Sequence, residues 1–137
     1  MAVITRYAAG IDSLLPGPWS QLPDQYITDV DLTAGDIVYQ KTNGNLAKAL
    51  ATDGTAVTDR AIGIVPKDYK AGDAVTVHAG LCHYAYAAEG TKTPSTRVFL
   101  SGATAGLITD TAYYSGQPAL GYIVPDGGSI CFFSFRF

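Results

Sequence analysis

The sequence is poor in charge and nearly devoid of glutamate. Only 15% of its 137 residues are charged, and Glu89 is the single glutamate among twelve acidic residues. This imbalance disfavours a helical fold, because glutamate is a good helix former whereas aspartate prefers turns and helix caps. The net charge of −3 and the scattered cations also disfavour nonspecific binding to nucleic acid, which requires clustered lysine and arginine.

Long apolar runs are missing as well. No stretch approaches the roughly 18 residues of a transmembrane helix. The first 20 residues lack the basic start and the continuous apolar run of a signal peptide, so we expect a protein made in a cytoplasm without a leader. With 47% hydrophobic residues, however, the chain is too apolar to be disordered, and its length is that of one domain able to bury a core.

Motifs for catalysis or cofactor binding are absent from the sequence. Cys82 and Cys131 lie in separate apolar runs, which favours two buried thiols and leaves a disulfide open. Cys82, His83 and His78 do not make a zinc ligand set, because adjacent strand residues point to opposite faces and no further ligands stand out. There is no glycine-rich phosphate loop and no nucleophile elbow. The sequence therefore predicts no enzyme, no metal and no cofactor.

Strand and turn residues are abundant. The chain has 15 glycines and 7 prolines, together with many Thr, Val, Ile and Tyr residues. From Asp31 onward, turn signals recur about every eight to twelve residues, the spacing typical of a β-barrel or β-sandwich. Asn43-Gly44 predicts a hairpin with a type I′ turn, which needs positive φ at both residues. Short helices are expected only near residues 11–15 or 110–113.

One phrase occurs twice. RAIGIVP at residues 60–66 returns as PALGYIVP at residues 118–125. Each copy has a glycine inside a predicted strand, Gly63 or Gly121, which marks a bulge, a bend or close backbone approach. In both halves a leading strand precedes the phrase and a closing apolar strand follows it; the second leading strand is placed after Gly106. This predicts an all-β single domain with a pseudo-twofold internal repeat.

The two ends of the chain lie outside this repeat. Residues 1–30 contain three prolines and no alternating pattern, which predicts an extended N-terminal arm ahead of a β-domain at residues 31–137. An arm of this kind packs on its own domain or on a neighbouring subunit. The ending CFFSFRF is apolar on both faces, as expected of a central strand or one that a partner covers. We therefore predict an oligomer.

Residues 31 to about 135 resemble the small β-rich decoration, or cement, proteins of tailed-bacteriophage capsids. The resemblance rests on Gly35-Asp36-Ile37-Val38, Ala61–Val65 and Ala71–Gly80, with a weaker second round at Ala119–Val124 and Gly128–Phe133. It implies a β-sandwich or β-tulip domain, often trimeric, that lies outside an expanded capsid and clamps neighbouring capsid subunits. No catalytic residue is implied.

On this resemblance, the expected function is that of a structural virion protein that stabilises a capsid. Its expected partners are the major capsid protein and further copies of itself, and its location is the capsid exterior. Trp19, Leu22 and Tyr26 are predicted to anchor the arm on the capsid or on a sister subunit. Phe135 and Phe137 are predicted to form the trimer interface.

Two other functions remain open on the sequence. The first is a carbohydrate-binding or host-attachment module on a virion, in which Tyr113 and Tyr114 would stack on sugars. The second is a small β-barrel enzyme such as a trimeric nucleotide hydrolase, which the missing acid and phosphate-loop motifs disfavour.

Overall fold

A computed structural model describes residues 4, 6, 12–13, 26–79, 82–87, 90, 92–125 and 127–132. These residues form an all-β domain, which confirms the predicted fold class. The strands are β1 (Asp12–Ser13), β2 (Tyr26–Ile27), β3 (Ile37–Gln40), β4 (Leu46–Lys48), β5 (Ala61–Ile64), β6 (Ala74–Val75), β7 (Cys82–Ala85), β8 (Arg97–Leu100), β9 (Ile108–Thr109), β10 (Gly121–Ile123) and β11 (Ser129–Phe132).

The predicted short helices are wrong where they can be compared. Asp12–Ser13 is a strand, and residues 110–113 form bends and irregular backbone. The helical turn in the described part of the chain is a 3₁₀ turn at Val57–Asp59.

Ten strands form two units with the same topology. In unit one (β2 to β6), β2 pairs with β6, β5 with β3, and β3 with β4. The backbone of His78, just after β6, bonds to Ile64 of β5 in both directions, at 2.8 and 2.9 Å. In unit two (β7 to β11), the order is β7-β11-β10-β8-β9. In both units, neighbouring strands therefore follow the same order: first, fifth, fourth, second and third in the sequence of the unit. The repeat in the sequence corresponds to a repeat of topology.

Unit one closes into a small barrel. Thr28, directly after β2, forms a parallel bridge to Leu46 of β4, and the amide of Asp29 donates to the Leu46 carbonyl at 3.1 Å. The first and third strands of the unit thus meet, and backbone pairing or single bridges connect all five described strands into a ring. Its interior is the barrel core, formed by Leu32, Val38, Leu46, Ile62, Val65, Tyr69, Val75 and Val77.

Unit two is a curled open sheet that packs on the other face of β3 and β5. Ile37 belongs to this second interior although its neighbour Val38 faces the barrel, as strand alternation requires. Because both faces of β5 are covered, all four of its residues are buried. The second interior is the main core, formed by Ile4, Ile37, Ala49, Ala51, Ala61, Ile64, Tyr84, Tyr86, Val98, Leu100, Ile108, Leu120, Ile123, Ile130 and Phe132.

The two glycines of the repeated phrase occupy corresponding places. Gly63 lies opposite Val38 of β3, and Gly121 lies opposite Val98 of β8. A methyl group added at Gly63 would lie 2.4 Å from the His78 carbonyl oxygen, and at Gly121 it would lie 2.1 Å from that of Cys131. Each glycine therefore permits close backbone approach, one of the roles its position predicts. The leading strand of unit two is β8, not the segment after Gly106.

The predicted hairpin at Asn43-Gly44 is confirmed, but its predicted turn type is wrong. Gly44 has a φ of +91°. Among the described residues other than glycine, only Ser95 has a positive φ, so the φ of Asn43 is negative. The Gly44 amide donates to the Lys41 carbonyl at 2.9 Å. Only Gly44, and not Asn43, is therefore left-handed. A turn followed by one left-handed residue is a common form of hairpin loop longer than two residues.

The described residues before position 30 pair with strands of both units. The Ile4 amide donates to the carbonyl of Ile108 on β9 at 2.9 Å, and β1 pairs with β7. In unit one, β2 covers β6. Covering an edge satisfies backbone groups that would otherwise pair with other chains. Part of the N-terminal arm is therefore built into the sheets of its own chain.

Candidate interaction surfaces

A buried carboxylate joins the start of the chain to unit one. Asp36 follows the positive-φ turn at Gly35, and its side chain is 1% exposed. One carboxylate oxygen accepts from Arg6 at 2.7 Å, and the other accepts from the amide of Thr33 at 2.9 Å. Lys48 lies 3.6 Å away on the solvent side. A charge this buried needs such partners, because desolvation of an isolated carboxylate is costly.

Arg6 is held at two points. Besides Asp36, its guanidinium donates to the carbonyl of Ala34 at 2.9 Å. Two residues earlier, Ile4 is 1% exposed in the main core. We use the term N-terminal strap for Ile4, Arg6 and β1, the described residues that fasten this part of the chain.

Two buried tyrosines differ in how their hydroxyls are satisfied. The Tyr84 hydroxyl shares a short hydrogen bond with Nδ1 of the buried His78. Burial lowers the pKa of His78, which keeps the imidazole neutral. The Tyr86 hydroxyl finds no hydrogen-bond partner within the described residues, and burial raises its pKa. His78 is thus a packed core residue.

This difference predicts opposite effects of one substitution at two neighbouring sites. Tyr86→Phe removes an unpaired buried hydroxyl, so we expect the free energy of unfolding to rise by up to about 1 kcal/mol. Tyr84→Phe leaves His78 unpaired, so we expect a loss of about 1–3 kcal/mol. Urea denaturation of both variants measures this. A Tyr86→Phe protein destabilised as much as Tyr84→Phe would show that the Tyr86 hydroxyl has a partner.

An exposed network surrounds Asp29 beside the hairpin. The Asp29 carboxylate accepts from Lys41 at 2.8 Å, Asn43 at 3.1 Å and Asn45 at 2.8 Å. The hydrogen bond from Lys41, followed by those from the two amides, lowers the pKa of Asp29 to about 2. The network links β2 and the hairpin, and thereby the two strands that close the barrel.

The depressed pKa of Asp29 sets the direction of a pH dependence. Its contribution to stability is fully present above the ordinary pKa of 3.8 and is lost as pH falls through about 2. We therefore expect Asp29→Asn to be less stable than the wild type at pH 7, with the difference vanishing toward pH 2. Urea midpoints of both proteins across this range provide the measurement. A difference that stays constant with pH would show that the Asp29 charge contributes nothing.

Two exposed aromatic rings lie in unit two. Tyr113 is 46% exposed, and a methyl group placed on Gly102 would lie 2.3 Å from its ring. The ring thus rests directly on the Gly102 backbone. Tyr122 is 40% exposed on β10, beside Arg97 of β8. The neighbouring Tyr114 is half-buried against the main core.

A cavity near Tyr114 is too small for a ligand. It has a volume of about 10 Å³ and lies between Asp59, Ala61, Leu100, Tyr114, Gln117, Pro118 and Leu120. That is room for about one water molecule, whereas small-molecule sites span hundreds of Å³. The Asp59 carboxylate beside it accepts from the amide of Thr52 at 2.7 Å and from the Thr52 hydroxyl.

The structure describes one of the five residues singled out as contacts. Tyr26 lies in β2, paired with Val75, and packs half-buried against the barrel core. Trp19, Leu22, Phe135 and Phe137 lie outside the described residues. Sequence reasoning missed Arg6 and Asp36. A lone arginine in an unpatterned segment carries no signal for a partner 30 residues away.

The described residues contain no group of three His, Cys, Asp or Glu side chains that could hold a metal ion. Cys131 has a free, half-buried thiol, while the Cys82 side chain lies outside the description. Among the helices described, none is long and apolar enough to cross a membrane.

No protein-family model matches the chain, and no curated protein sequence matches it.

Proposed function

We propose that this chain is a structural virion protein that binds the outer surface of a phage capsid and clamps neighbouring capsid subunits. One observation carries the proposal: both rounds of the cement-protein resemblance fall on corresponding strands. The first round contains β5 and β6, and the second contains β10 and β11. This correspondence supports the proposal, because both rounds of the resemblance lie on strands that the fold repeats.

The mechanism would be thermodynamic. A protein that binds the assembled shell, and not its dissociated subunits, stabilises the shell by mass action. A homotrimer that contacts several capsid subunits adds avidity without stronger single contacts. In this proposal Trp19, Leu22 and Tyr26 contact the major capsid protein or a sister subunit, and Phe135 and Phe137 form the trimer interface.

Co-sedimentation with purified expanded shells of the same virus tests the binding. We expect saturable binding, weakened at least tenfold by Trp19→Ser or Leu22→Ser. Tyr113→Ser, far from the arm in sequence, is the matched control and should bind normally. Deletion of residues 1–25 would be ambiguous, because it also removes Ile4 and Arg6 from the fold. Normal binding by both arm variants would contradict the arm assignment.

Light scattering tests the oligomer separately. We expect the wild type at three times the chain mass of 14.4 kDa, and Phe135→Ser with Phe137→Ser at lower mass. A monomeric wild type would overturn the trimer.

A second function is favoured by Tyr113. A rigid ring that rests on a glycine backbone and is 46% exposed is a suitable platform for stacking on a sugar. A virion-surface carbohydrate-binding or host-attachment module would use it. A glycan array tests this, with Tyr113→Ala expected to lose binding and Tyr122→Ala as the exposed-tyrosine control. No glycan signal from the wild type would remove this candidate.

A further inference from the structure

His78 contacts both units at the point where the chain passes from one to the other. It follows β6, the last strand of unit one, and precedes β7, the first strand of unit two. Its backbone exchanges two hydrogen bonds with Ile64 of β5, so its main chain belongs to unit one. Its side chain reaches the other unit, because Nδ1 shares a short hydrogen bond with the Tyr84 hydroxyl on β7. We call the contact between His78 and Tyr84 the joint.

The joint is buried and holds no negative charge. His78 is 7% exposed, and Tyr84 is fully buried. Tyr84 faces the imidazole from β7 with ring centroids 5.8 Å apart, and a phenol stays neutral in acid. None of the ion pairs formed by the described residues includes His78.

The strands of unit one around His78 supply no negative charge either. On β5, Gly63 and Ile64 lie against the His78 backbone, and neither carries an ionisable group. On the barrel side, the Tyr69 hydroxyl accepts from the amide of Thr76 at 3.2 Å, and this group too is a phenol. The imidazole is therefore placed among groups that suit its neutral form.

A second proton on this imidazole is unfavourable in the folded protein. Whichever ring nitrogen carries the proton of the neutral form, the second proton creates a buried positive charge. The Tyr84 oxygen can accept one hydrogen bond from an imidazolium, but it brings no compensating charge. Burying an ion without a charged partner is costly. Burial accordingly lowers the pKa of His78 below its ordinary value of 6.5.

We propose that the joint is a pH-sensitive switch, at which protonation of His78 in mild acid loosens the contact between the two units. Because the folded protein binds this proton less readily than the unfolded chain does, stability is full above pH 6.5 and falls as the pH drops below it. The contribution of Asp29 is lost only below 3.8, so the two effects occupy separate pH ranges. This inference concerns the single chain and does not depend on capsid binding.

Urea denaturation between about pH 8 and about pH 5 tests the switch, with the two histidines of the chain as a matched pair. Below pH 6.5 we expect the unfolding equilibrium constant of the wild type to rise by up to about tenfold for each pH unit. His83→Gln should keep this dependence. His78→Gln should lose it, because its amide can bond to the Tyr84 hydroxyl but does not titrate. The wild-type pH dependence in His78→Gln would overturn the proposal.

A measurement on the wild type keeps the test decisive if His78→Gln does not fold. The two imidazoles are titrated by NMR, and His83→Gln assigns their signals. We expect His78 to titrate below pH 6.5. Titration at or above that value would overturn the proposal, because folding would then not oppose protonation.

Hydrogen exchange locates the loosening. The amides of Ile64 and His78 bond to each other's carbonyls beside the joint, whereas the Leu120 amide bonds to Val98 within unit two. After correction for the intrinsic effect of pH, we expect mild acid to reduce protection several-fold more at Ile64 and His78 than at Leu120. An equal reduction at all three amides would overturn a switch at the joint.

Discussion

Gly121→Ala should be among the most destabilising single methyl additions in this protein. The added carbon would lie 2.1 Å from the Cys131 carbonyl oxygen and 2.8 Å from the Phe132 Cα. Both atoms are backbone of the neighbouring strand, so no side chain can turn away to relieve the clash. The strands must separate at a point where Phe132 is fully buried in the main core. We expect a loss of at least about 3 kcal/mol in the free energy of unfolding.

Gly63→Ala should behave in the same way because Gly63 holds the corresponding place in unit one. There the methyl group would meet the His78 carbonyl oxygen at 2.4 Å and the Val77 side chain at 2.5 Å. Gly44→Ala is the matched control: its methyl group meets nothing within 4 Å, and only the φ of +91° disfavours it. We expect a cost of about 1 kcal/mol there. Urea denaturation that ranks Gly121→Ala no worse than Gly44→Ala would refute the close-approach role.

Asp36→Ala should cost about 3 kcal/mol or more. The substitution removes three interactions of one buried carboxylate and leaves Arg6 without its charged partner. Breaking a buried ion pair on one side is far more costly than losing a surface pair, because the remaining charge stays desolvated. Lys48 adds little, since it reaches Asp36 from the solvent side at 3.6 Å. The measurement is again the free energy of unfolding.

Asp31→Ala provides the control for Asp36→Ala. Asp31 pairs with Lys70 at 3.7 Å and accepts from the amide of Ala71 at 2.9 Å, but the Asp31 and Lys70 side chains are 66% and 83% exposed. We expect a much smaller loss from this exposed pair than from Asp36→Ala. A double-mutant cycle with Arg6→Ala isolates the coupling to Asp36. Equal losses for Asp36→Ala and Asp31→Ala would mean that the buried pair does not fasten the N-terminal strap.

Local signals in the sequence predict the strands but not what closes them. Gly63 and Gly121 are identifiable because a glycine within an apolar run has few other uses. The hairpin at Asn43-Gly44 is likewise local, although its turn type depends on φ at a single residue. The barrel closure is different, because Thr28 meets Leu46 in a parallel bridge that no periodicity specifies.

The N-terminal strap is a clearer case of contacts that local sequence signals do not predict. Ile4 and Arg6 lie in a segment without alternation, which predicts an extended arm and gives no partner. Their contacts with Ile108 and Asp36 are set by the three-dimensional meeting of two units. The repeat is partly predictable from the sequence, because the two copies of the repeated phrase locate β5 and β10. The predicted position of the leading strand of unit two, after Gly106, is wrong because Gly106 resembles in sequence the glycine of the turn before β3.

The most direct test of the proposed function is the thermal stability of capsids. Calorimetry of purified expanded shells, with and without saturating protein, measures whether the protein stabilises the assembled state. We predict that the shell transition moves upward with protein concentration until the sites are filled, and that the Trp19→Ser variant moves it less. A shell transition that does not change at saturating protein would contradict the proposal that this protein stabilises a capsid.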